Sequence, residues 1–165
     1  MSRELALGIV LALVLAACWP FGGGSSRSRL EGRYLTDHPG KQWQGVDAGG
    51  ADKAWWHGVT GATLYTDSNC EKAYSDSSLS RLARAQSAAI DGAVLREAKD
   101  HQLGGRSAYT ATFDGRVDGV AVAVTTTVMK KGKCIYDFVL VAPVSDSDEV
   151  SRDYEALVAS FRIKK

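Results

Sequence analysis

The chain predicts an α+β fold, an antiparallel β-sheet packed with helices on its faces. Two apolar, β-branched runs, Gly119–Met129 and Cys134–Ala142, flank a short basic Gly-containing turn, which is the pattern of a hairpin. Two further stretches, Leu79 to Ile90 and Val150 to Phe161, carry apolar residues at helical spacing. Placed in order, the elements are strands, one helix, a run of antiparallel strands and a C-terminal helix.

The start of the chain is of a different kind. Leu5 to Ala17 is an almost unbroken apolar run behind a short polar start containing Arg3. It is shorter than the roughly 20 residues needed to span a bilayer, and with its small-residue exit it describes a secretory signal peptide over residues 1–17. That exit, Leu15-Ala16-Ala17-Cys18, resembles the lipobox of bacterial lipoproteins. The resemblance implies diacylglycerol on the Cys18 sulfur, cleavage before Cys18, and palmitate-type acylation of the new amine. In such lipoproteins a residue other than Asp after the cysteine favours the outer membrane, and here it is Trp19. The expected location is therefore the cell envelope, on the outer membrane facing the periplasm. Residues 18–32, with Gly22-Gly23-Gly24 and Ser25-Ser26-Arg27-Ser28-Arg29, read as a lipidated flexible tether, and residues 33–165 as one domain.

Within that domain Arg33–Asp37 is a short extended run ended by His38-Pro39-Gly40, since proline disfavours helix in the residue before it. Trp43–Val59, rich in Gly and Trp, has no clear period. Thr60–Asp67 alternates and is β-branched, so it reads as a strand leading to Cys70. Asp76-Ser77-Ser78 offers helix caps, followed by the stripe Leu79, Leu82, Ala83, Gln86 and Ile90, with Asp91-Gly92 as the helix stop. By composition Ala93–His101 could continue as helix, and the reading preferred here is a strand. Gly104-Gly105 is a turn, Ser107–Phe113 is extended, and Asp114-Gly115 and Asp118-Gly119 read as turns.

In Gly119–Met129, Val120, Val122, Val124 and Val128 share one face, and Ala121 and Ala123 leave room for a helix on the other. Lys130-Lys131-Gly132-Lys133 is the hairpin tip. Cys134–Ala142 is apolar on both faces, as a central strand should be, and Pro143 ends it. Ser145 or Ser147 caps the last helix, Asp146, Asp148 and Glu149 suit its positive first turn, and Arg162, Lys164 and Lys165 suit its C-terminal end.

Lys and Arg number 20 against 19 Asp and Glu, a formal net charge of +1, which offers no basic face for nucleic acid. With Cys18 taken by lipid, Cys70 and Cys134 remain, and an oxidising compartment favours a disulfide between them. Two free thiols or a metal pair are the alternatives, although two isolated cysteines give no C-x-x-C spacing.

In this order the elements resemble the PsbP/Mog superfamily, an α/β/α sandwich found in photosynthetic extrinsic subunits, a nuclear transport factor and bacterial lipoproteins. The resemblance runs over roughly Arg33–Ile163. It is carried by the Tyr34 to Trp43 opening with its Pro-Gly turn, by Gly61 to Cys70 leading into Leu79-x-x-Leu82, and by Asp118-Gly119-Val120. Lys133-Cys134-Ile135-Tyr136-Asp137-Phe138 running to Ala142-Pro143, with Phe161, completes it. It implies that Cys70 and Cys134 are a structural pair, and it carries no catalytic signature.

No G-x-S-x-G elbow, H-E-x-x-H, Walker loop or G-x-G-x-x-G is present, so neither catalytic residues, nor a metal, nor a cofactor is expected. His38, His57 and His101 share no helical spacing, and Asp137 reads as a polar group facing a neighbouring strand or helix end. Trp43, Trp55, Trp56 and His57 form the aromatic concentration of the chain, either a partner or ligand surface or a cover for one end of the sheet. The leading functional expectation is a non-enzymatic, lipid-anchored protein that binds or scaffolds an envelope protein partner. A small-molecule or lipid carrier with Trp43 to His57 lining its pocket comes second, and a hydrolase of unrecognised type third.

Overall fold

Residues 34–70 and 76–164 are the described part of this computed structural model, so the expected signal peptide, Cys18 and the tether lie outside the described residues. In chain order the elements are β1 (Tyr34–Leu35), β2 (Trp43–Val46), β3 (Lys53–His57), β4 (Thr63–Asn69) and α1 (Leu79–Gln86), which tightens into a 3-10 turn at Ser87–Ala89. Then follow β5 (Asp91–Leu103), β6 (Arg106–Val117), β7 (Val120–Lys131), β8 (Cys134–Pro143), a 3-10 turn at Val144–Asp146, α2 (Ser147–Ala159) and β9 (Arg162–Ile163). Seven strands form one antiparallel sheet in the order β2-β3-β4-β8-β7-β6-β5, and β1 pairs with β9 in a separate ribbon. This is the expected α+β architecture, with one helix on each face.

The two-residue period of β8 divides the core. Tyr136, Phe138, Leu140 and Ala142 pack on the side of α2 with Val150, Tyr154, Leu157 and Val158. Ile135 and Val139 point the other way, and with Val122, Val124 and Val128 of β7 they meet Ala83, Leu79 and Leu82 of α1. Val120 shares the β7 period but lies beyond α1 and is 56% exposed. Burying apolar area on both faces of β8 and β7 is the main stabilising term, at roughly 25 cal/mol per Å² removed from water. Cys70 is joined to Cys134 across a sequence separation of 64, tying the end of β4 to the start of β8. A loop of that length is worth about 4 kcal/mol through the entropy it removes from the unfolded chain.

Several local expectations are corrected. Ser78 caps α1 by accepting from the Arg81 N–H, but the helix ends at Gln86, and Asp91-Gly92 lies inside β5 instead of stopping a helix. Asp114-Gly115 lies inside β6 and is no turn. A Cβ on Gly115 would stand 2.3 Å from Ile90 Cγ2 and 2.9 Å from the Asp91 carbonyl oxygen, so glycine serves here to let β5 and the residue before it approach. The reversal falls four residues later, at Asp118-Gly119, where both residues have positive φ, 50° and 80°. At α2 neither serine is the cap. Asp146 holds that position without a side-chain cap bond, and the Ser147 hydroxyl donates to the Val144 carbonyl. The basic end does not serve the helix either. Phe161 is drawn into the core between Tyr34, Tyr136 and Phe138, so the chain leaves α2 and continues as β9, where Arg162 pairs with Asp37 at 2.6 Å.

Candidate functional site

The tryptophan-rich stretch resolves into an antiparallel pair, β2 with β3, in the register Trp43↔His57 and Gly45↔Trp55. Alternation then sends Trp55 and His57 to one face and Trp56 to the other. Trp43, Trp55 and His57 are buried on the α2 side. The Trp43 Nε1–H donates to Asp153 Oδ2 of α2 at 2.8 Å, and its ring lies 5.0 Å from that of His57. His57 Nδ1 is 2.9 Å from Thr60 Oγ1. The expected four-residue surface is therefore corrected: three of its members are core, and Trp56, 41% exposed, alone reaches solvent. A carrier pocket lined by Trp43 to His57 is corrected with it, because those side chains fill the space themselves.

The histidines do not meet carboxylates in the manner of an acid–base pair. His38 Nδ1 accepts from the Gly40 N–H, His57 bonds Thr60, and His101 Nε2 is 2.8 Å from Thr110 Oγ1. Among the described residues no group of three His, Cys, Asp or Glu could hold a metal ion. Asp114 is ion-paired with Arg96 through two hydrogen bonds, and Asp118 sits in its turn. Asp137 does face a neighbouring strand, and what it faces there is Asp67. Burial first, then the Asp67 charge, pushes its carboxyl up to about 7. Burial likewise drives the Tyr65 phenol above its ordinary range, with the charges of Asp137 and Asp67 adding to it.

A hydroxyl ladder that the sequence pattern did not single out crosses the sheet beneath α2. Thr110 Oγ1 lies 2.7 Å from Thr127 Oγ1, and the Tyr154 hydroxyl donates to Thr127 at 2.7 Å and towards the Phe138 carbonyl at 3.1 Å. With His101 at its outer end it links β5, β6, β7 and α2. A parallel rung joins Thr112 to Thr125 at 3.1 Å and to Glu97 at 3.4 Å. Its signal in the sequence was the Thr125-Thr126-Thr127 run, whose β-branching masked its polar role.

The surface that remains is at the end of the sheet where β5 begins, β6 turns into β7 and β8 gives way to the second 3-10 turn. Of the exposed apolar side chains at this end, Val117 (38% exposed), Val120 (56%) and Leu95 (40%) stand on the α1 face, and Val94 (65%) stands on the other face beside Asp114. Val117 and Val120 are directly paired across the β6–β7 turn. This apolar rim is bordered by the polar groups of Asp91, Asp114 and Arg116, which with Val94 line a shallow surface depression.

An antiparallel seven-stranded sheet with a helix on each face defines an α+β sandwich of PsbP-like fold. Solved structures support the same assignment of fold. The chain is similar to cyanobacterial PsbP (CyanoP) from Synechocystis sp. PCC 6803, with a TM-score of 0.60 and 19% identity over 91% of this chain and 99% of that one. It is similar to LpqN, described as involved in cell envelope biogenesis of Mycobacterium tuberculosis, with a TM-score of 0.55 and 12% identity over 80% and 83% of the two chains. It is also similar to PA94 from Pseudomonas aeruginosa, a protein of unknown function, with a TM-score of 0.52 and 12% identity over 74% and 82%. No family model and no curated protein matches the chain. At these identities the likeness concerns the fold.

Proposed function

We propose that this is a lipid-anchored, non-enzymatic protein of the bacterial cell envelope, held on the outer membrane facing the periplasm, that docks a protein partner on the apolar rim formed by Val117 and Val120. The observation that carries the reading is the position of that rim relative to the tether. Tyr34, where the proposed tether joins the domain, packs its ring 5.7 Å from Tyr136, near the Cys134 end of β8. The rim lies at the opposite end of the sheet, roughly 30 Å from Met129, the partner of Tyr136, along a strand that rises about 3.3 Å per residue. An anchored domain built this way is tethered at the end remote from its apolar rim.

The lipobox-like Leu15-Ala16-Ala17-Cys18 and Trp19 support the anchor and the outer-membrane location. No helix among the described residues is long and apolar enough to cross a membrane. The cell envelope biogenesis role in the description of LpqN supports an envelope setting. The scattered histidines, each bonded to something other than a carboxylate, support a non-enzymatic role.

The test is crosslinking in intact cells followed by capture of the full-length chain, wild type against the double variant Val117→Asp, Val120→Asp. One envelope protein should be enriched with wild type and lost from the variant, while melting temperature stays within a few degrees. Recovery of bulk lipoproteins alone, or equal capture by both chains, would overturn the reading.

A further inference from the structure

β5 closes one end of the sheet, and its residues from Asp91 to Asp100 are all exposed. From Glu97 to Leu103 it pairs with β6 in unbroken register. Leu103 and Arg106 flank the two-residue turn Gly104-Gly105, and residues flanking such a turn exchange both backbone hydrogen bonds. Alternation then directs the N–H and C=O groups of Lys99 and Glu97 to β6. Those of Asp100 and Ala98 point outward, away from the sheet.

The side chains on this edge form an acid-for-base palindrome about Ala98: Arg96-Glu97-Ala98-Lys99-Asp100. We propose that two copies of this chain associate through β5, joining their sheets edge to edge about a two-fold axis at Ala98. In that register the outward N–H and C=O of Ala98 meet those of the second copy. Glu97 stands opposite Lys99 of the second copy, and Lys99 opposite its Glu97. Antiparallel two-fold pairing keeps each side chain on its own face, so the axis must pass through a residue. Axes through Glu97, Lys99 or Asp100 would each set like charges against one another, which is destabilising. Ala98 puts a small neutral side chain at the centre and opposite charges on both sides.

The charges are available for this. Among the described residues neither Lys99 nor Asp100 takes part in a salt bridge, and Glu97 has the Thr112 hydroxyl at 3.4 Å. Arg96 engages Asp114 through Nε and Nη2 on the face of Glu97, whereas Asp100 stands opposite Tyr109 on the other face, so the two contacts across the axis are the Glu97–Lys99 pairs. The register shift between Leu95 and Glu97 bends the strand beyond Arg96 and ends the pairing there. The join is thereby short, and because it uses the β5 edge of both copies, no further copy can add through β5. Edge pairing of this extent buries less than a standard interface, so it forms a weak dimer that confinement to one membrane surface would strengthen. The inference rests on β5 alone and is independent of the partner rim.

The test is sedimentation equilibrium of the full-length chain in density-matched detergent over a range of protein concentrations. Wild type should follow a monomer–dimer equilibrium. Lys99→Glu and Glu97→Lys each set like charges together at both contacts and should weaken dimerisation by about tenfold or more. The double variant Glu97→Lys, Lys99→Glu restores opposite charges and should return to within about threefold of wild type. Circular dichroism melts of each variant should match wild type, since both positions are exposed. Monomeric wild type at every concentration, single variants that dimerise as wild type does, or a double variant that stays monomeric would each overturn the proposal.

Discussion

The carboxyl groups of Asp67 and Asp137 stand directly opposite each other on neighbouring strands, on the face of the sheet that α1 covers. Asp137 Oδ1 is buried without a hydrogen-bond partner among the described residues. Its carboxyl, pushed up to about 7 by burial and then by Asp67, sets a pH dependence. Below about pH 4 the group is protonated both folded and unfolded, and its contribution to stability is fully present. As pH rises to 7 the unfolded chain releases this proton while the folded chain keeps it, so stability falls, and above 7 the loss levels off. Asp137→Asn should therefore be more stable than wild type at pH 8, by roughly 1–3 kcal/mol, and the difference should shrink towards pH 4. Urea unfolding of both proteins at pH 4, 6 and 8 measures it.

Neighbouring tryptophans should respond in opposite ways to truncation. Trp55 is 7% exposed within the α2-side core, and Trp55→Ala should cost about 3–5 kcal/mol. Trp56 stands on the opposite face, 41% exposed, and its alanine variant should cost less than about 1 kcal/mol. Thermal melting of the two single variants, compared side by side, checks the assignment of faces.

The bridge between Cys70 and Cys134 closes the β4–β8 end of the sheet. Replacing both cysteines by serine should lower stability by about 2–5 kcal/mol without abolishing the fold, because the two core clusters remain. Denaturant melts with and without reductant should show that reduced wild type behaves as the double variant does. Intact-mass measurement of unreduced protein should find no free thiol at either position.

Cys18→Ala should remove lipid attachment, since the thioether has no other sulfur to form on at that position. The proposed anchor carries three acyl chains, more than the two signals that stable anchoring requires, so the variant should leave the membrane fraction or accumulate as precursor. Radiolabelled palmitate incorporation measures this. Label entering the variant as it does wild type would show that the anchor is elsewhere.

What the sequence determined by itself was whatever local chemistry dictates. The Leu79 and Val150 stripes, the Ser78 cap, the Gly104-Gly105 turn and the two-residue period of Val120–Val128 depend on neighbours a few positions away; each is found, with the helices stopping short of the last stripe members, Ile90 and Phe161. The order of these elements was sufficient for an antiparallel sheet with helices on its faces. Tertiary structure decided what depends on distant partners. The inward turn of Trp43 is set by Asp153, 110 residues along the chain, and Gly115 belongs in a strand because Ile90 occupies the space of its missing Cβ. Arg162 became a strand residue because Phe161 packs among Tyr34, Tyr136 and Phe138. The opposition of Asp67 to Asp137 and the free edge of β5 likewise exist only once strand order is chosen, and that order is selected by how apolar faces bury one another across the whole domain.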